Sequence, residues 1–564
     1  MSSGCKDYLT TEPVNMLSTE MVLANKSAFQ AHMAVIYNKM YFERFSVYMD
    51  LNTNQLVNCV SGQNVTLDAG STFTDNSTEI TDLWARSYSV LRDLNILIKE
   101  WPKETAFKGT EADNVLGEVK FLRAYTYFKL AKGYGGVPIV TDPMELPASG
   151  DVKELQKPRA KEVEVWDFIQ TEMTEAINLM SSTNNQYRIN KWSGLALKSR
   201  AMMYAGSVAR YGTIQLDGVL GVPAADANRF FQYASDAAKT LITTGPYKLY
   251  ALNADKAANF HQLFFDKSAA NLERVLTTAY YWPLKTSQVD RNTAPYAHRS
   301  SEGYGSYVNV SLDMIDQFEY TDNRNGALKM KDGSGNYIAY TNAIDIFAKK
   351  DPRFFATVLA PGSPWKGTIL SVYGTKLLNG VEVTGTGTSG IGPPEATSTG
   401  FLMTKWSDPT PPRPISGNSS EVDKFIIRYA EVLLDYAEAQ LELSVANEPV
   451  ARTYINQVRD RAGLPALTTV IMDDIRRERY VELAFEDNCY WDWKRWRIAS
   501  VKMSATPTRG LWPIFDEVNN KFVFREFNLA ANLFQKTYPP HFYYYKISTA
   551  ILNANLKLVQ NTGY

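Results

Sequence analysis

The sequence predicts a mainly α-helical protein: a scaffold of tetratricopeptide-like helical hairpins around an irregular, loop-rich region with a few short strands. Three observations support this prediction. Long segments in both halves of the chain repeat apolar side chains at three- and four-residue spacing, which places them on one face of a helix. Several of these segments end at Gly or Pro, so the next helix can fold back on the last. Between the two helical regions, glycine, proline and aromatic residues replace that spacing. The strict tetratricopeptide consensus is absent.

The amino-terminal helical scaffold is predicted over residues 13–211. The segment "TDLWARSYSVLRDLNILIKEW" aligns Trp84, Tyr88 and Leu91 along one stripe, and "EVWDFIQTEMTEAINLM" does the same with Trp166. Aromatic side chains at such positions, with Trp192 and Tyr436 on other helical faces, are expected to pack in the core.

One stretch of this scaffold, "FLRAYTYFKLAKGYGGVPIV" over residues 121–140, starts as an amphipathic helix and stops abruptly. Gly133 is the predicted left-handed helix end, and Gly135, Gly136 and Pro138 keep the helix from resuming. The sequence therefore predicts a sharp corner followed by an extended apolar segment.

Three further regions complete one domain over residues 1–564. Residues 216–414 are predicted to be irregular, residues 425–496 to form a carboxy-terminal helical scaffold, and residues 498–564 to wrap irregularly around it. Long irregular segments inside a compact protein are usually functional or mobile.

Composition and charge exclude several classes of function. Hydrophobic residues make up 45% of the chain and charged residues 21%, with a formal net charge of −1. No basic run suggests a nucleic-acid surface, and no apolar run approaches the roughly 18 residues that span a bilayer. The four histidines are scattered without ligand spacing, so no metal, cofactor or catalytic residue is predicted.

The segment "KDGSGNY" over residues 331–337 alternates Asp332, Ser334 and Asn336 as a calcium loop does. Tyr337 and Ala343 stand where that loop needs Gly and Glu, so a hairpin turn is the better interpretation.

Two of the three cysteines, Cys59 and Cys489, have no C-x-x-C partner and are expected to be small buried apolar residues. Cys5 lies in "MSSGCKDYL", where small residues precede it as they precede the cleavage point of a bacterial lipoprotein signal. The sequence therefore predicts lipidation at Cys5 of a mature chain that has lost its signal peptide. An ordinary terminal thiol is the alternative.

Four internal motifs, in order along the chain, closely resemble those of the SusD/RagB family. They are "GEVKFLRAYTYFKLAKGYGGVPIV" (residues 117–140), "FIIRYAEVLLDYAEAQ" (425–440), "INQVRDRAGLP" (455–465) and "IRRERYVELAFEDNCYWDWKRW" (475–496). The ends, "CKDYLTTEP" and "LVQNTGY", are placed as in that family. The chain departs from the family pattern at Thr562, where Pro is usual, and at residues 488–490.

This resemblance implies a surface lipoprotein of the Bacteroidota, anchored in the outer membrane through Cys5 alone. It would cover a SusC-like TonB-dependent transporter and capture an oligosaccharide or polysaccharide for import, with no catalysis and no nucleic-acid partner. A RagB-like peptide-import lipoprotein is the alternative. Residues 216–414 would be the variable ligand-binding region.

A sugar site needs flat aromatic platforms for apolar C–H faces and polar side chains for the hydroxyls, because unpaired hydroxyls are costly to desolvate. "AYYWPLKTSQVDRNTAPYAHRSSEGYGSY" over residues 279–307 supplies both, with Tyr281, Trp282, Tyr296 and Tyr304 as candidates. A strand that buries Tyr281 is the competing interpretation.

Three candidates lie elsewhere. "PGSPWKGT" is predicted to expose Trp365 at a turn, and "LDAGSTFTDNSTEITDLW" places Phe73 and Asn76 on a loop before the helix of Trp84. An enzyme would instead need two facing carboxylates. Those of "FEDNCYWDWKRW" are expected to form structural ion pairs with nearby arginines.

Overall fold

The computed structural model describes residues 18–40, 53, 55–58, 82–183, 185–295, 305–370, 375–378, 381–384, 397–408, 420–503, 507–529 and 538–564. Within these residues the chain forms seventeen α-helices and twelve short strands. The predicted fold class, a mainly helical scaffold with an irregular region, is confirmed. None of the described helices combines the length and the apolar character needed to cross a membrane.

The helices are α1 (Thr19–Ala24), α2 (Lys26–Lys39), α3 (Leu83–Glu100), α4 (Thr110–Tyr134), α5 (Glu162–Leu179), α6 (Lys191–Tyr211), α7 (Ala227–Thr244), α8 (Lys256–Leu263), α9 (Val289–Thr293), α10 (Leu312–Ile315), α11 (Pro352–Thr357), α12 (Tyr429–Leu443), α13 (Glu448–Ala462), α14 (Met472–Glu482), α15 (Asn488–Arg495), α16 (Ala499–Lys502) and α17 (Thr549–Ala554).

Helices α3 to α7 pack side by side in chain order, and α7 then packs against α12, which packs against α13. The scaffold is therefore continuous across the two helical regions of the sequence. Its main core contains Trp166, Trp192 and Tyr436, all buried as predicted. Trp493 and Trp496 are buried in a smaller cluster with Cys489, which the sequence also predicts to be buried.

The strands are β1 (Leu56–Asn58), β2 (Arg274–Thr278), β3 (Val308–Val310), β4 (Val358–Leu359), β5 (Pro364–Trp365), β6 (Thr368–Ile369), β7 (Thr375–Leu378), β8 (Val381–Thr384), β9 (Leu402–Met403), β10 (Lys424–Arg428), β11 (Arg509–Asp516) and β12 (Lys521–Asn528). They form two four-stranded sheets, ordered β1-β3-β9-β4 and β12-β11-β7-β8, and two antiparallel pairs, β10-β2 and β5-β6. A second core lies under this irregular part of the chain.

The glycine that ends α4 is Gly135, two residues after the predicted Gly133. Helix α4 continues through Gly133 and ends at Tyr134, and Gly135 adopts the positive φ of 76°. The amide of Gly136 donates to the carbonyl of Val219 at 2.7 Å, and Arg159 donates to the carbonyls of Tyr134 and Gly136 at 2.6 and 2.7 Å. The corner is thus fixed by backbone contacts that leave no room for a side chain.

The carboxy-terminal wrap closes on the same corner. The amide of Tyr545 donates to the carbonyl of Gly133 at 2.7 Å, and the side-chain amide of Asn561 donates to the carbonyl of Tyr545 at 2.7 Å. The apolar segment of residues 137–140 is itself largely buried. Its carbonyls accept from side chains of α3 and α4: Tyr88 donates to Pro138, and Asn95 and Tyr127 donate to Val140.

A network of buried ion pairs joins β10, α13 and α14 to the irregular region. Arg428 donates to Glu273, Glu482 and Glu486, and Arg461 donates to Glu273 and Glu482. All five side chains are at most 5% exposed. Despite burial, the pKa of Glu482 is held far below its usual range by the surrounding arginines, Arg461 first. The network is therefore charged at neutral pH.

The hairpin interpretation of residues 331–337 is confirmed. Lys331 and Tyr337 form an antiparallel bridge, and the Asp332 carboxylate accepts from the amides of Ser334 and Asn336, both at 2.9 Å. These hydrogen bonds lower the pKa of Asp332, that from Asn336 most strongly.

Candidate functional site

The candidate site is the exposed turn that follows strand β2, residues 280–285, here called the aromatic turn. Its ends are joined by two backbone hydrogen bonds, from Tyr281 to the Lys285 carbonyl at 2.7 Å and from Lys285 to the Tyr281 carbonyl at 2.9 Å. Tyr280, the first residue of the turn, is buried. The turn follows β2, which ends at Thr278.

Two aromatic side chains stand on the aromatic turn. Tyr281 is 52% exposed and Trp282 is 51% exposed. The alternative that a strand buries Tyr281 is wrong, because the strand ends at Thr278 and the buried ring is that of Tyr280. Half-exposed rings on a hydrogen-bonded turn can offer flat apolar faces to a ligand.

The charged groups beside the turn are of both signs. The Trp282 amide donates to the Glu421 carboxylate at 2.9 Å, and Lys285 lies with its ammonium 5.0 Å from the centre of the Tyr280 ring. Partial burial lowers the pKa of Lys285, and the nearby Asp423 carboxylate opposes that shift. Carboxylate and ammonium groups at the edge of aromatic rings are suited to pair with ligand hydroxyls.

A partly buried carboxyl, Asp290, lies on α9, the helix that follows the aromatic turn in the sequence. It accepts from the amide of Asp408 at 3.3 Å. Burial raises the pKa of Asp290 to about 6, the Asp408 charge acts in the same direction, and the Ser420 hydroxyl and Lys366 oppose the shift. Ionised Asp290 is therefore less favourable in the folded protein than in the unfolded chain.

We expect Asp290→Asn to remove a pH dependence of stability. Between about pH 4, where an unfolded Asp titrates, and about pH 6, the folded wild type holds a proton that the unfolded chain releases, so stability falls as pH rises. The free energy of unfolding of the wild type should therefore fall by up to about 3 kcal/mol between pH 4 and pH 7, relative to that of the variant. Urea unfolding at both pH values measures this difference. A difference independent of pH would contradict the assignment.

The prediction that Trp365 is exposed is wrong. Its side chain is 5% exposed and packs in a small cluster with Leu359, Leu370 and Leu402. The Gly-Pro composition around it forms the two-strand hairpin β5–β6, which turns at Lys366 and Gly367 and folds the indole inward. Trp365 therefore contributes to the core and offers no platform at the surface.

Five other sequence candidates lie outside the described residues: Tyr296, Tyr304, Phe73, Asn76 and the lipidation candidate Cys5. Of the predicted ligand contacts, the structure brings together Tyr281 and Trp282.

One exposed aromatic residue next to strand β2 was missed by sequence reasoning. Tyr187, in the loop before α6, is 42% exposed, and its hydroxyl accepts from the Arg274 guanidinium at 3.3 Å. Its exposure could have been predicted from the sequence, because Tyr187 lies among Asn, Gln and Arg in "NNQYRIN", a short polar loop between two helices.

The carboxylates of the last motif pair with cations, as predicted. Asp492 accepts from Arg479 and Arg495, whereas Glu486 accepts from Lys405 and Arg428. The prediction missed Lys405 and Arg428, because both come from outside the motif. Each of these carboxylates is thus held in ion pairs.

Two family sequence models match the chain. The SusD family matches residues 292–564, and a family described as "Starch-binding associating with outer membrane" matches residues 7–203. A SusD-like protein of Bacteroides ovatus is 23% identical over 513 residues, which are 88% of this chain and 80% of that protein.

Solved structures share the fold. A SusD-like carbohydrate-binding protein of Bacteroides fragilis superposes with a TM-score of 0.70 at 19% identity, covering 95% of this chain and 100% of that one. A laminarin-binding SusD-like protein superposes with a TM-score of 0.60 at 18% identity, covering 96% and 100%. At this level of identity, the likeness establishes the architecture.

Proposed function

Because this chain belongs to the SusD/RagB-like family, we propose that it is a non-catalytic, cell-surface glycan-binding protein. The ligand is an oligosaccharide or polysaccharide, and the aromatic turn is its platform. The observation that carries this proposal is the pair of half-exposed rings, Tyr281 and Trp282, held on a hydrogen-bonded turn.

The aromatic turn offers the kinds of surface that a sugar needs. A pyranose ring has an apolar face that can stack on an indole or phenol, and its hydroxyls need partners once water is displaced. Glu421 accepts from the Trp282 amide, and Lys285 is the last residue of the turn, so both side chains can supply partners for these hydroxyls. Two related structures are described as carbohydrate-binding and laminarin-binding, which supports a glycan as the ligand class.

The proposal extends to location and partner. The protein is held at the outer membrane through a lipid on Cys5 and delivers its ligand to a SusC-like TonB-dependent transporter. The description of one matching family, which associates with the outer membrane, supports the location. A Cys5→Ala chain expressed with its signal peptide should leave the membrane fraction, and a large β-barrel should co-purify with the wild type. A membrane-bound Cys5→Ala protein would contradict the anchor.

The ligand class is tested by native gel retardation against plant, fungal, host and bacterial polysaccharides, beside binding of unstructured peptides. Retardation by at least one glycan is expected, without release of new reducing ends. Tighter binding to peptides than to every glycan would favour the peptide-import alternative. Reducing ends released from a bound polysaccharide would contradict the non-catalytic assignment.

Trp282→Ala is expected to weaken binding of the retarding glycan about tenfold or more, which corresponds to about 1.4 kcal/mol, because the stacking surface is lost. Tyr337→Ala is the matched control, since Tyr337 is 46% exposed on a different hairpin. Thermal unfolding should be unchanged in both variants. Equal affinities for the Trp282→Ala and Tyr337→Ala proteins would move the site away from the aromatic turn.

A further inference from the structure

A buried ion pair lies directly behind the aromatic turn. Asp423 is 1% exposed and Arg274 is 2% exposed, and the Arg274 guanidinium donates to the Asp423 carboxylate. The other carboxylate oxygen of Asp423 accepts from the amide of Tyr280 at 2.9 Å and lies 3.1 Å from the Lys267 ammonium. One carboxylate therefore joins two cations to the backbone at the base of the turn.

Beyond the last paired residues of β2 and β10, side-chain carboxylates accept the backbone hydrogen bonds. Strands β2 and β10 pair as far as Thr278 and Lys424. Beyond that pair, the amides of Tyr280 and Trp282 donate to the carboxylates of Asp423 and Glu421. Two carboxylates of the segment that leads into β10 thus accept backbone hydrogen bonds from the turn.

Lys267 also binds the backbone at the base of the turn. Its ammonium donates to the carbonyl of Tyr280 at 2.8 Å and to the carbonyl of Glu421 at 2.7 Å. It therefore bridges the backbone of the aromatic turn to the backbone of the segment that leads into β10. A group that makes three polar contacts at one junction restricts the turn more than any one of its hydrogen bonds would.

The same ion pair also contacts a third exposed aromatic residue, Tyr187. The Arg274 guanidinium donates to the Tyr187 hydroxyl at 3.3 Å and lies 5.7 Å from the centre of the Tyr187 ring. The carbonyl of Gln186 accepts from the amide of Thr277 at 2.7 Å, so the loop before α6 lies against the edge of β2 opposite β10. Arg274 and Asp423 thus connect Tyr187 to the base of the aromatic turn.

We propose that Arg274, Asp423 and Lys267 form a positioning unit that holds Tyr187 and the aromatic turn on one binding surface, and that Tyr187 is a further ligand-contact residue. This inference rests on the proposed glycan-binding function. Two aromatic elements held apart by one buried ion pair suit a chain of several sugars more than a single sugar. A surface fixed before the ligand arrives loses less conformational entropy on binding, so its affinity is higher.

The positioning role is tested first without any ligand. Amide hydrogen exchange of the peptide covering residues 279–285 is compared in the wild type, Lys267→Met, Lys267→Arg and the control Lys256→Met. Lys256 also donates to a backbone carbonyl, that of Asp460 at 3.3 Å, but on the helical scaffold. We expect at least tenfold faster exchange in Lys267→Met, recovery in Lys267→Arg, no change in Lys256→Met and unchanged global unfolding in all. Wild-type exchange in Lys267→Met would overturn the positioning role.

The contact role is tested with the glycan that retards the wild type most strongly. Tyr187→Ala is expected to weaken binding about fivefold to tenfold, and Tyr187→Phe less than threefold, because the phenylalanine keeps the ring. Lys267→Met should weaken binding to a similar extent through the displaced turn. Loss of binding in Trp282→Ala with wild-type affinity in Tyr187→Ala would overturn the contact role but leave the proposed function. If the protein binds no glycan, the contact role and the proposed function are both wrong. The exchange experiment still decides the positioning role.

Discussion

Arg428→Met is expected to destabilise the protein by about 3–5 kcal/mol, because it leaves buried carboxylates without their shared cation. Arg428 donates to Glu273 and Glu482 at 2.6 Å and to Glu486 at 2.8 Å, in a region where these side chains are at most 5% exposed. Methionine fills much of the volume but supplies no donor. Urea unfolding followed by tryptophan fluorescence measures the loss.

The matched control is Arg452→Met. Arg452 pairs with Glu448 at 3.2 Å on the surface of α13, and its side chain is 37% exposed. Exposed pairs of this kind contribute less than about 1 kcal/mol. If Arg428→Met cost no more than Arg452→Met, the buried network would not be what joins the irregular region to the scaffold.

Gly136→Ala is expected to cost at least about 4 kcal/mol, or to prevent soluble accumulation, because the corner has no space for a side chain. An added Cβ would lie 2.0 Å from the carbonyl oxygen of Ala160 and 2.8 Å from that of Val219. Both obstacles are backbone atoms, so relief requires movement of the chain segments that the corner holds together.

Gly333→Ala is the control for this prediction. A Cβ at Gly333 meets nothing within 4 Å, and its φ is not positive. Its thermal unfolding midpoint should stay within a few degrees of the wild type. A Gly136→Ala protein that unfolds at the same temperature as Gly333→Ala would show that the corner can relax.

Local pattern predicted the scaffold well. The stripe that begins at Trp84 forms α3, the stripe with Trp166 forms α5, and the breakers after residue 130 mark a real corner. These features depend on neighbours three or four residues apart, which a sequence displays directly. The two-residue error, Gly133 instead of Gly135, arose because either of two nearby glycines can end a helix.

Contacts between segments far apart in the sequence could not be predicted from local spacing. Arg428 meets Glu273 across a separation of 155 residues, and Arg274 meets Asp423 across 149. Trp365 was misjudged because a hairpin of two-residue strands has the composition of a loop, although it folds its indole into a core. Tyr187 was missed because its neighbour Arg274 belongs to β2, which lies 87 residues away in the sequence.

The proposed function requires that a glycan binds on the aromatic turn. The most direct test is the crystal structure of the protein with an oligosaccharide of the glycan that retards it most strongly. We expect a sugar ring stacked on Trp282 or Tyr281, with its hydroxyls hydrogen-bonded to groups beside the turn. A well-ordered oligosaccharide bound elsewhere, with no contact to residues 280–285, would contradict glycan binding at the turn.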